Sequence, residues 1–260
     1  MNRYAAMFDR LDGEGAFGAF LMLGDPDLET SARLLDEVID SGADMVEVGI
    51  PFSDPVADGP VIQAAAQRAL AAGVRVADCF DLIASLRARN SEVPIGILTY
   101  ANIVAARNGF MRDAAEAGAD SLLIADVPVL EAEPFTLAMN QGGIEPVLIA
   151  AVNTPDQTLR RIANLSKVYT YCVSRAGITG THASGEFDAG LIQRVKNAGA
   201  PHPIFGFGIS KPAHVGAALK AGAKGVICGS AIVDLVSRRE GVASFVQSLK
   251  AVTRNDSVTE

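Results

Sequence analysis

The fold is decided by a short pattern in which the end of a helical segment passes through a glycine into an apolar run. One copy reads Ser41-Gly42-Ala43-Asp44 and leads into Met45-Val46-Glu47-Val48-Gly49. Two further copies read Ala117-Gly118-Ala119-Asp120 and Ala221-Gly222-Ala223-Lys224. Glycine accepts the left-handed conformation that ends a helix, so each copy predicts a helix C-cap followed by a strand. Its recurrence indicates a repeating βα unit.

Apolar runs typical of buried strands alternate with amphipathic helical segments along the whole chain. Eight strands are predicted, at Phe17 to Leu23, Met45 to Gly49, Ile95 to Tyr100, Ser121 to Ala125, Pro146 to Ala151, Val168 to Val173, Ile204 to Phe207 and Gly225 to Cys228. The clearest helices between them are predicted at Leu28 to Ser41, Ala77 to Asn90, Phe110 to Ala117, Glu131 to Gln141, Pro155 to Leu165, Ala189 to Asn197 and Pro212 to Ala221.

This alternation favours a (β/α)₈ TIM barrel. Strict βα order requires parallel strands with right-handed crossovers, and eight such units in about 250 residues is the usual size of that fold. We therefore expect residues 1–260 to form a single barrel domain with a short N-terminal helix. A doubly wound open sheet is the alternative, but Leu23-Gly24-Asp25-Pro26 lacks the glycine-rich fingerprint such a sheet carries after its first strand.

Composition narrows the functional classes. The formal net charge is −8, which makes binding to nucleic acid or to an anionic membrane unlikely to be the function. The three cysteines show no CxxC spacing, which favours a protein of the reducing cytoplasm. Residues 1–15 lack the apolar core of a signal peptide, and no apolar run approaches membrane-spanning length.

Carboxylates cluster around the end of the second predicted strand. Glu47 lies within the strand, and Asp54 and Asp58 follow in a loop rich in proline. In a barrel, functional residues sit at the C-terminal ends of the strands. Burial disfavours a charged carboxylate, so Glu47 is a candidate proton donor or acceptor near neutral pH. The alternative is that Glu47 only pairs with a buried arginine or lysine.

Glycine-rich turns follow the seventh and eighth strands. They read Gly206-Phe207-Gly208-Ile209-Ser210 and Gly229-Ser230-Ala231. In the earlier loop that carries Asp54 and Asp58, Gly59 and Pro60 are among the residues expected to stiffen the chain. In barrels these two loops commonly bind phosphate, because glycines let backbone N–H groups approach its oxygens. Tight packing or turn geometry is the alternative for either pair.

The sixth strand carries Tyr171 and leads into a long polar loop over about residues 174–187. Such a loop is usually a mobile lid, with a surface excursion as the alternative. Tyr171 is placed either to hydrogen-bond a catalytic carboxylate or to pack in the core. His182, His202 and His214 have no metal-ligand spacing and are interpreted as surface or loop residues, so no metal site is predicted.

Taken together, the sequence resembles the alpha subunit of tryptophan synthase over nearly its full length. The resemblance is carried by Phe20 to Pro26, Glu47 to Gln63, Tyr100 to Asn102, Ala125 to Pro128, Ser174 to Gly180, Gly206 to Ser210 and Gly229 to Val233. It implies a barrel that cleaves indole-3-glycerol phosphate into indole and glyceraldehyde 3-phosphate. The resemblance thus predicts a lyase of tryptophan biosynthesis.

The resemblance also implies residue roles. Glu47 matches the general acid/base, Asp58 a second carboxylate that stabilises the indole N–H, and Tyr171 the residue that positions the glutamate. The implied indole slot consists of Phe20, Ile62, Leu98, Tyr100 and Phe207. The implied phosphate contacts are Gly180, Gly208, Gly229 and Ser230, and Thr179 and Gly206 complete the substrate-binding set.

A partner is implied as well. Family members bind a beta subunit that carries pyridoxal phosphate, in an assembly of two alpha and two beta chains, while the alpha chain needs no cofactor. Asp54 and Pro55 match one interface loop, and Thr179 lies in another. Three alternatives stay open: another phosphate-binding barrel enzyme, a stand-alone indole-releasing lyase, and a non-catalytic activator of a beta-type partner.

Overall fold

Parallel strands form a nearly closed barrel in the computed structural model, which describes residues 2–173 and 187–254. Its strand segments are β1 (Ala16–Met22), β2 (Met45–Gly49), β3 (Ile95–Thr99), β4 (Ser121–Ile124), β5 (Glu145–Pro146), β6 (Leu148–Ala151), β7 (Thr170–Val173), β8 (Pro203–Phe205) and β9 (Gly225–Cys228). Their order around the sheet is β5-β4-β3-β2-β1-β9-β8-β7-β6. The predicted TIM barrel is therefore confirmed.

The fifth strand of the barrel is split, which corrects the continuous strand predicted at Pro146 to Ala151. Its first half, β5, pairs with β4, and its second half, β6, pairs with β7. The break falls at Val147, whose N–H still donates to the carbonyl of Leu122 at 3.0 Å. Pro146 has no N–H to give to a neighbouring strand, so the pairing is weakest at this point. Together β5 and β6 fill one of eight barrel positions.

Helices surround the strands. They are α1 (Arg3–Leu11), α2 (Leu28–Asp40), α3 (Pro60–Ala71), α4 (Val76–Arg89), α5 (Ala101–Ala106), α6 (Phe110–Glu116), α7 (Glu133–Gly142), α8 (Asp156–Leu165), α9 (Ala189–Asn197), α10 (Pro212–Lys220), α11 (Ser230–Ser237) and α12 (Ala243–Ala251). The seven helices predicted from periodicity are present, each within about two residues of its expected ends. In the described part of the chain, none is long and apolar enough to cross a membrane.

The glycines of the repeated pattern end their helices as predicted. Gly42, Gly118 and Gly222 have φ values of 103°, 95° and 94°, in the left-handed region that favours glycine. Periodicity did not indicate α3, whose inner face is alanine rather than larger apolar residues. Pro60 is the first residue of this helix and not a stiffener of the preceding turn, because proline fits the first helical position.

The N-terminal end of the barrel is closed by α1. Arg3 forms an ion pair of 2.8 Å with Asp120, which directly precedes β4. Tyr4 is fully buried, and its hydroxyl lies 2.7 Å from the hydroxyl of Ser121. Its ring also packs against that of Tyr169, with centroids 5.5 Å apart. Because α1 seals this end, the barrel interior opens toward the C-terminal ends of the strands.

Candidate active site

Glu47 lies on the inner face of the barrel. The strand register places it between Phe20 of β1 and Gly96 of β3. Residues paired in this way share one face of the sheet, and the side chain of Tyr169, from the opposite side of the barrel, reaches Glu47. The Tyr169 hydroxyl donates to Oε1 of Glu47 at 3.1 Å. The strand therefore delivers a single carboxyl group into the interior.

The Glu47 carboxyl group is buried without a cation. Its side chain is 2% exposed, and it forms no ion pair with an arginine or lysine among the residues the structure describes. Oε2 has no hydrogen-bond partner within residues 2–173 and 187–254. The pKa of Glu47 is raised to about 8, mainly by burial; the Tyr169 hydrogen bond lowers it and the Asp58 charge raises it. Glu47 can therefore both give and take a proton near neutral pH.

Gly96, next to Glu47 in the sheet, leaves space for the hydroxyl groups of Ser121 and Tyr4. A Cβ atom on Gly96 would lie 2.9 Å from Oγ of Ser121 and 3.0 Å from the Tyr4 hydroxyl. Glycine at this strand position thus lets two hydroxyl groups meet directly under the carboxylate. Asp58 and Tyr169 complete the polar surroundings of Glu47.

Asp58 reaches the same region from the loop after β2. Its side chain is 8% exposed, and Oδ2 accepts a hydrogen bond of 2.8 Å from the Tyr100 hydroxyl. The Gln63 amide, from the first turn of α3, donates to the Asp58 carbonyl at 2.7 Å. Burial raises the pKa of Asp58, and the Tyr100 hydrogen bond lowers it. Tyr100 and α3 therefore fix both the side chain and the backbone of Asp58.

The rest of this loop faces outward. Asp54 is exposed, and its carboxylate accepts a hydrogen bond of 2.6 Å from the Ser53 hydroxyl. Pro55 is half-buried, and Val56 is 71% exposed. The loop thus presents one carboxylate to the barrel and another to solvent. The predicted partner contact of Asp54 and Pro55 stays a prediction.

Apolar side chains surround the two carboxylates. Phe20, Ile62 and Tyr100 are buried, while Leu98 and Phe207 are partly buried against the same core. Leu98 pairs in register with Gly49, two residues beyond Glu47 on β2, and so lies on the same inner face. Phe20 and Leu98 thus share the inner face with Glu47, and the indole slot as a whole stays a prediction.

Of the two alternatives for Tyr171, the structure shows core packing and not a hydrogen bond to a carboxylate. Its hydroxyl donates to the Gly206 carbonyl at 3.2 Å, whereas Tyr169 donates to Glu47. The two tyrosines share the inner face because side chains alternate along a strand, and Tyr171 lies about 7 Å nearer the C-terminal end. Burial raises the pKa of Tyr171, and the charges of Glu47 and Asp58 raise it further. Sequence reasoning missed Tyr169, which the same alternation could have indicated.

The two glycine-rich turns lie side by side, after β8 and β9. Gly206 must be glycine, because a Cβ atom there would overlap the Tyr171 ring. Gly208 has a φ of 83°. Gly229 caps α11, which begins at Ser230, and its backbone approaches Phe20. The arrangement offers backbone N–H groups near the apolar wall, as expected of a site for an anion.

Several predicted residues cannot be placed. Thr179, Gly180 and His182 lie outside the described residues, as does nearly all of the loop predicted at 174–187. His202 is exposed, but His214 is buried on α10, which corrects its interpretation as a surface residue. In the described ranges, no three His, Cys, Asp or Glu side chains are grouped so that they could hold a metal.

A cleft opens where β4 ends and β6 begins. It is lined by residues Leu123 to Val129 and Val147 to Ile149. The motif Ala125 to Pro128 therefore belongs to the same end of the barrel as Glu47 and Asp58. Asp126 stabilises this edge by accepting a hydrogen bond of 2.8 Å from the Ala101 N–H at the start of α5.

Comparison with known proteins agrees with this geometry. The family model described as tryptophan synthase alpha chain matches residues 8–259. The chain belongs to the tryptophan synthase alpha chain family. This is a family of lyases of tryptophan biosynthesis. A relative from Vibrio cholerae named tryptophan synthase alpha chain is 46% identical, over 98% of this chain and 100% of its own.

Solved structures share the fold of this alpha chain. The tryptophan synthase subunit alpha from Legionella pneumophila has a TM-score of 0.89 at 26% identity, covering 97% of this chain and 98% of that one. A chain of the tryptophan synthase complex from Pyrococcus furiosus has a TM-score of 0.81 at 33% identity, covering 92% and 99%. The solved structures similar to this chain therefore include a chain of a complex.

Proposed function

We propose that this chain cleaves indole-3-glycerol phosphate into indole and glyceraldehyde 3-phosphate. The observation that carries the proposal is Glu47, a buried carboxyl group with no cationic partner among the described residues, placed beside Asp58 at the open end of the barrel. Family membership supplies the reaction class, and these two side chains supply groups that fit its proton transfers.

The reaction is a retro-aldol cleavage, and Glu47 suits both of its proton transfers. Carbon C3 of the indole ring must gain a proton, and the glycerol hydroxyl next to the ring must lose one as the carbon–carbon bond breaks. A group with a pKa of about 8 exists in both protonation states near neutral pH. Glu47 therefore donates a proton to C3 and accepts the proton of the hydroxyl.

Asp58 stabilises the positive charge that develops on the indole ring when C3 is protonated. That charge spreads to the ring nitrogen, whose N–H can donate to a fixed carboxylate. The Tyr100 hydrogen bond favours the ionised form of Asp58 and holds Oδ2 in place. Because Tyr100 and Gln63 fix the group before substrate arrives, little reorganisation is needed during the reaction.

The substrate is oriented by an apolar wall at one end of the site and by the glycine-rich turns at the other. The indole ring fits the apolar wall formed by Phe20, Ile62 and Leu98, and the phosphate fits the turns after β8 and β9. Gly206, Gly208, Gly229 and Ser230 are the groups we assign to the phosphate, with Thr179 and Gly180 completing the site. Fixing both ends places the reacting bond between Glu47 and Asp58.

We further propose that the chain works with a tryptophan synthase beta subunit, in an assembly of two alpha and two beta chains. Asp54 and Pro55 lie on the outward side of the loop that carries Asp58, so a partner there would contact the catalytic loop directly. Pyridoxal phosphate belongs to that partner, and the alpha chain contributes no cofactor. The structure from Pyrococcus furiosus named as a tryptophan synthase complex supports such a partnership.

The test compares glyceraldehyde 3-phosphate release by wild type, Glu47→Gln and Asp58→Asn. Both variants should lose at least about a hundredfold in kcat, the usual value of a general acid/base or a charge-stabilising group. Glu145→Gln is the matched control, because Glu145 is also a strand glutamate but lies at the other end of the barrel. Glu47→Gln should still bind the beta subunit. Full activity of Glu47→Gln would contradict the proposed mechanism.

A further inference from the structure

The backbone of the turn Gly206–Ser210 is held from behind by three side chains. Tyr171 donates to the Gly206 carbonyl at 3.2 Å. The Cys228 thiol lies 3.2 Å from the Ile209 carbonyl as a donor. The third side chain is His214, whose Nδ1 accepts a hydrogen bond from the Ser210 N–H. The contacts therefore fall at Gly206, Ile209 and Ser210, and His214 holds the C-terminal end of the turn.

His214 is built into the fold rather than placed on the surface. It lies in the first turn of α10 and is 6% exposed. Its Nδ1 lies 3.3 Å from the Ser210 N–H and 3.3 Å from the Ser210 hydroxyl. The ring of Phe187 packs edge-on against it, with centroids 6.5 Å apart. The ring is therefore packed between Phe187 and the turn.

The contact with Ser210 identifies the form of the imidazole. A backbone N–H can only donate a hydrogen bond, so Nδ1 must offer a lone pair to it. His214 is therefore neutral, with its proton on Nε2. Burial lowers the pKa of His214 and the nearby Lys211 lowers it further, whereas the Gly208 carbonyl opposes both. Lys211 is the charged group that acts on the ring within the described ranges.

We propose that His214 is a positioning residue that holds the turn Gly206–Ser210 in the shape that binds the substrate phosphate. The inference rests on the proposed function, which assigns the phosphate to this turn. Two glycines make the turn flexible, and ordering it on binding would cost affinity. A turn held in advance by His214 avoids that cost. No other described group accepts a hydrogen bond from the Ser210 N–H. Replacing His214 therefore removes the acceptor that holds this end of the turn.

The test measures the dissociation constants of glycerol 3-phosphate and of indole for wild type and for His214→Leu. Leucine fills the buried space but offers neither an acceptor nor a donor. Affinity for glycerol 3-phosphate should fall about three- to tenfold, the effect of losing one or two hydrogen bonds. Indole affinity should stay within about twofold, because the apolar wall is unchanged. His202→Asn is the matched control, at the opposite end of β8.

A second variant keeps the inference testable if His214→Leu folds poorly. His214→Gln retains an acceptor for Ser210 and a donor for Gly208, and it cannot gain a charge. It should restore phosphate affinity at pH 8. Rescue by glutamine but not by leucine would separate loss of the hydrogen bonds from loss of buried packing, because both side chains fill the space of the imidazole.

The outcomes separate the inference from the function on which it rests. Wild type that binds neither ligand would remove the proposed function, and the inference with it. Wild type that binds both, with His214→Leu equally tight for glycerol 3-phosphate, would overturn the inference alone. So would His214→Gln that binds glycerol 3-phosphate as weakly as His214→Leu while both variants fold. Selective loss of the phosphate ester in His214→Leu, restored by glutamine, would support it.

Discussion

The Tyr169 hydroxyl donates a 3.1 Å hydrogen bond to Oε1 of Glu47, joining the residue just before β7 to β2 through the interior of the barrel. This is the one hydrogen bond recorded for the Glu47 carboxyl group among the described residues, since Oε2 has none. The bond stabilises the ionised carboxylate and opposes the effect of burial. Tyr169 therefore limits the rise in the pKa of Glu47 that burial causes.

Replacing Tyr169 with phenylalanine should move the pH dependence of the reaction. Loss of the hydrogen bond removes the contribution that lowers the Glu47 pKa, so that pKa rises. The limb of the kcat/KM profile set by Glu47 should shift to higher pH by about one unit, equivalent to about 1.4 kcal/mol. Steady-state kinetics from pH 6 to 10 measures the shift.

Tyr171→Phe is the comparison for that variant. Its hydroxyl bonds to the Gly206 carbonyl and not to Glu47. The variant should raise KM through the turn Gly206–Ser210 and leave the Glu47 limb of the profile in place. A shift in the profile of Tyr171→Phe, with none in Tyr169→Phe, would reverse the roles assigned to the two tyrosines.

The raised pKa of Glu47 also makes stability depend on pH. Between about pH 4.5 and pH 8 the folded chain keeps a proton on Glu47 that the unfolded chain releases. The contribution of this group is therefore fully present below pH 4.5 and is lost as the pH rises toward 8. Glu47→Gln removes this dependence, so its stability relative to wild type should increase from pH 5 to pH 8. Urea unfolding of wild type and Glu47→Gln at pH 5 and pH 8 measures this change. The same difference in unfolding free energy at both pH values would contradict the pKa shift.

Gly206→Ala should destabilise the fold. The added Cβ atom would overlap the Tyr171 ring, which is buried and has no free space to enter. Overpacking of this kind costs about 1–3 kcal/mol of unfolding free energy. Gly241→Ala is the control, because no atom lies within 4 Å of its Cβ position. Equal midpoints of denaturant unfolding for the two variants would show that Gly206 is not under steric constraint.

The ion pair between Asp25 and Arg68 should contribute to stability more than surface pairs do. Two hydrogen bonds of 2.7 Å join them, and the Asp25 side chain is 3% exposed. Arg68→Leu would leave a buried carboxylate unpaired, at a cost of about 2 kcal/mol after allowance for the partly exposed arginine. Arg238→Leu, which breaks two exposed pairs, with Asp234 and Glu240, should cost less than about 1 kcal/mol. Thermal unfolding compares the two; equal losses would contradict the expectation.

The fold was predictable because its signals are local. Gly42, Gly118 and Gly222 mark helix ends through a backbone conformation that few other residues accept. The break at Val147 was not predictable from the sequence. Pro146 is compatible both with a continuous strand and with one whose two halves pair with different neighbours. Which carbonyl accepts the Val147 N–H depends on how the barrel closes, and closure is a property of all its strands.

The site was predictable in its carboxylates and not in their partners. An acidic residue within an apolar strand is unusual, so Glu47 is visible in the sequence alone. Tyr169 and Tyr171 share a face, and their depth in the barrel depends on the stagger between β7 and β2, which no local pattern encodes. The burial of His214 likewise depends on where the turn before α10 packs.

The most direct test of the account is glyceraldehyde 3-phosphate release from indole-3-glycerol phosphate by the purified wild-type chain. The release rate is measured alone and with a tryptophan synthase beta subunit and serine. The account predicts slow cleavage by the chain alone and a strong increase with the partner. No cleavage under either condition by the folded chain would contradict it.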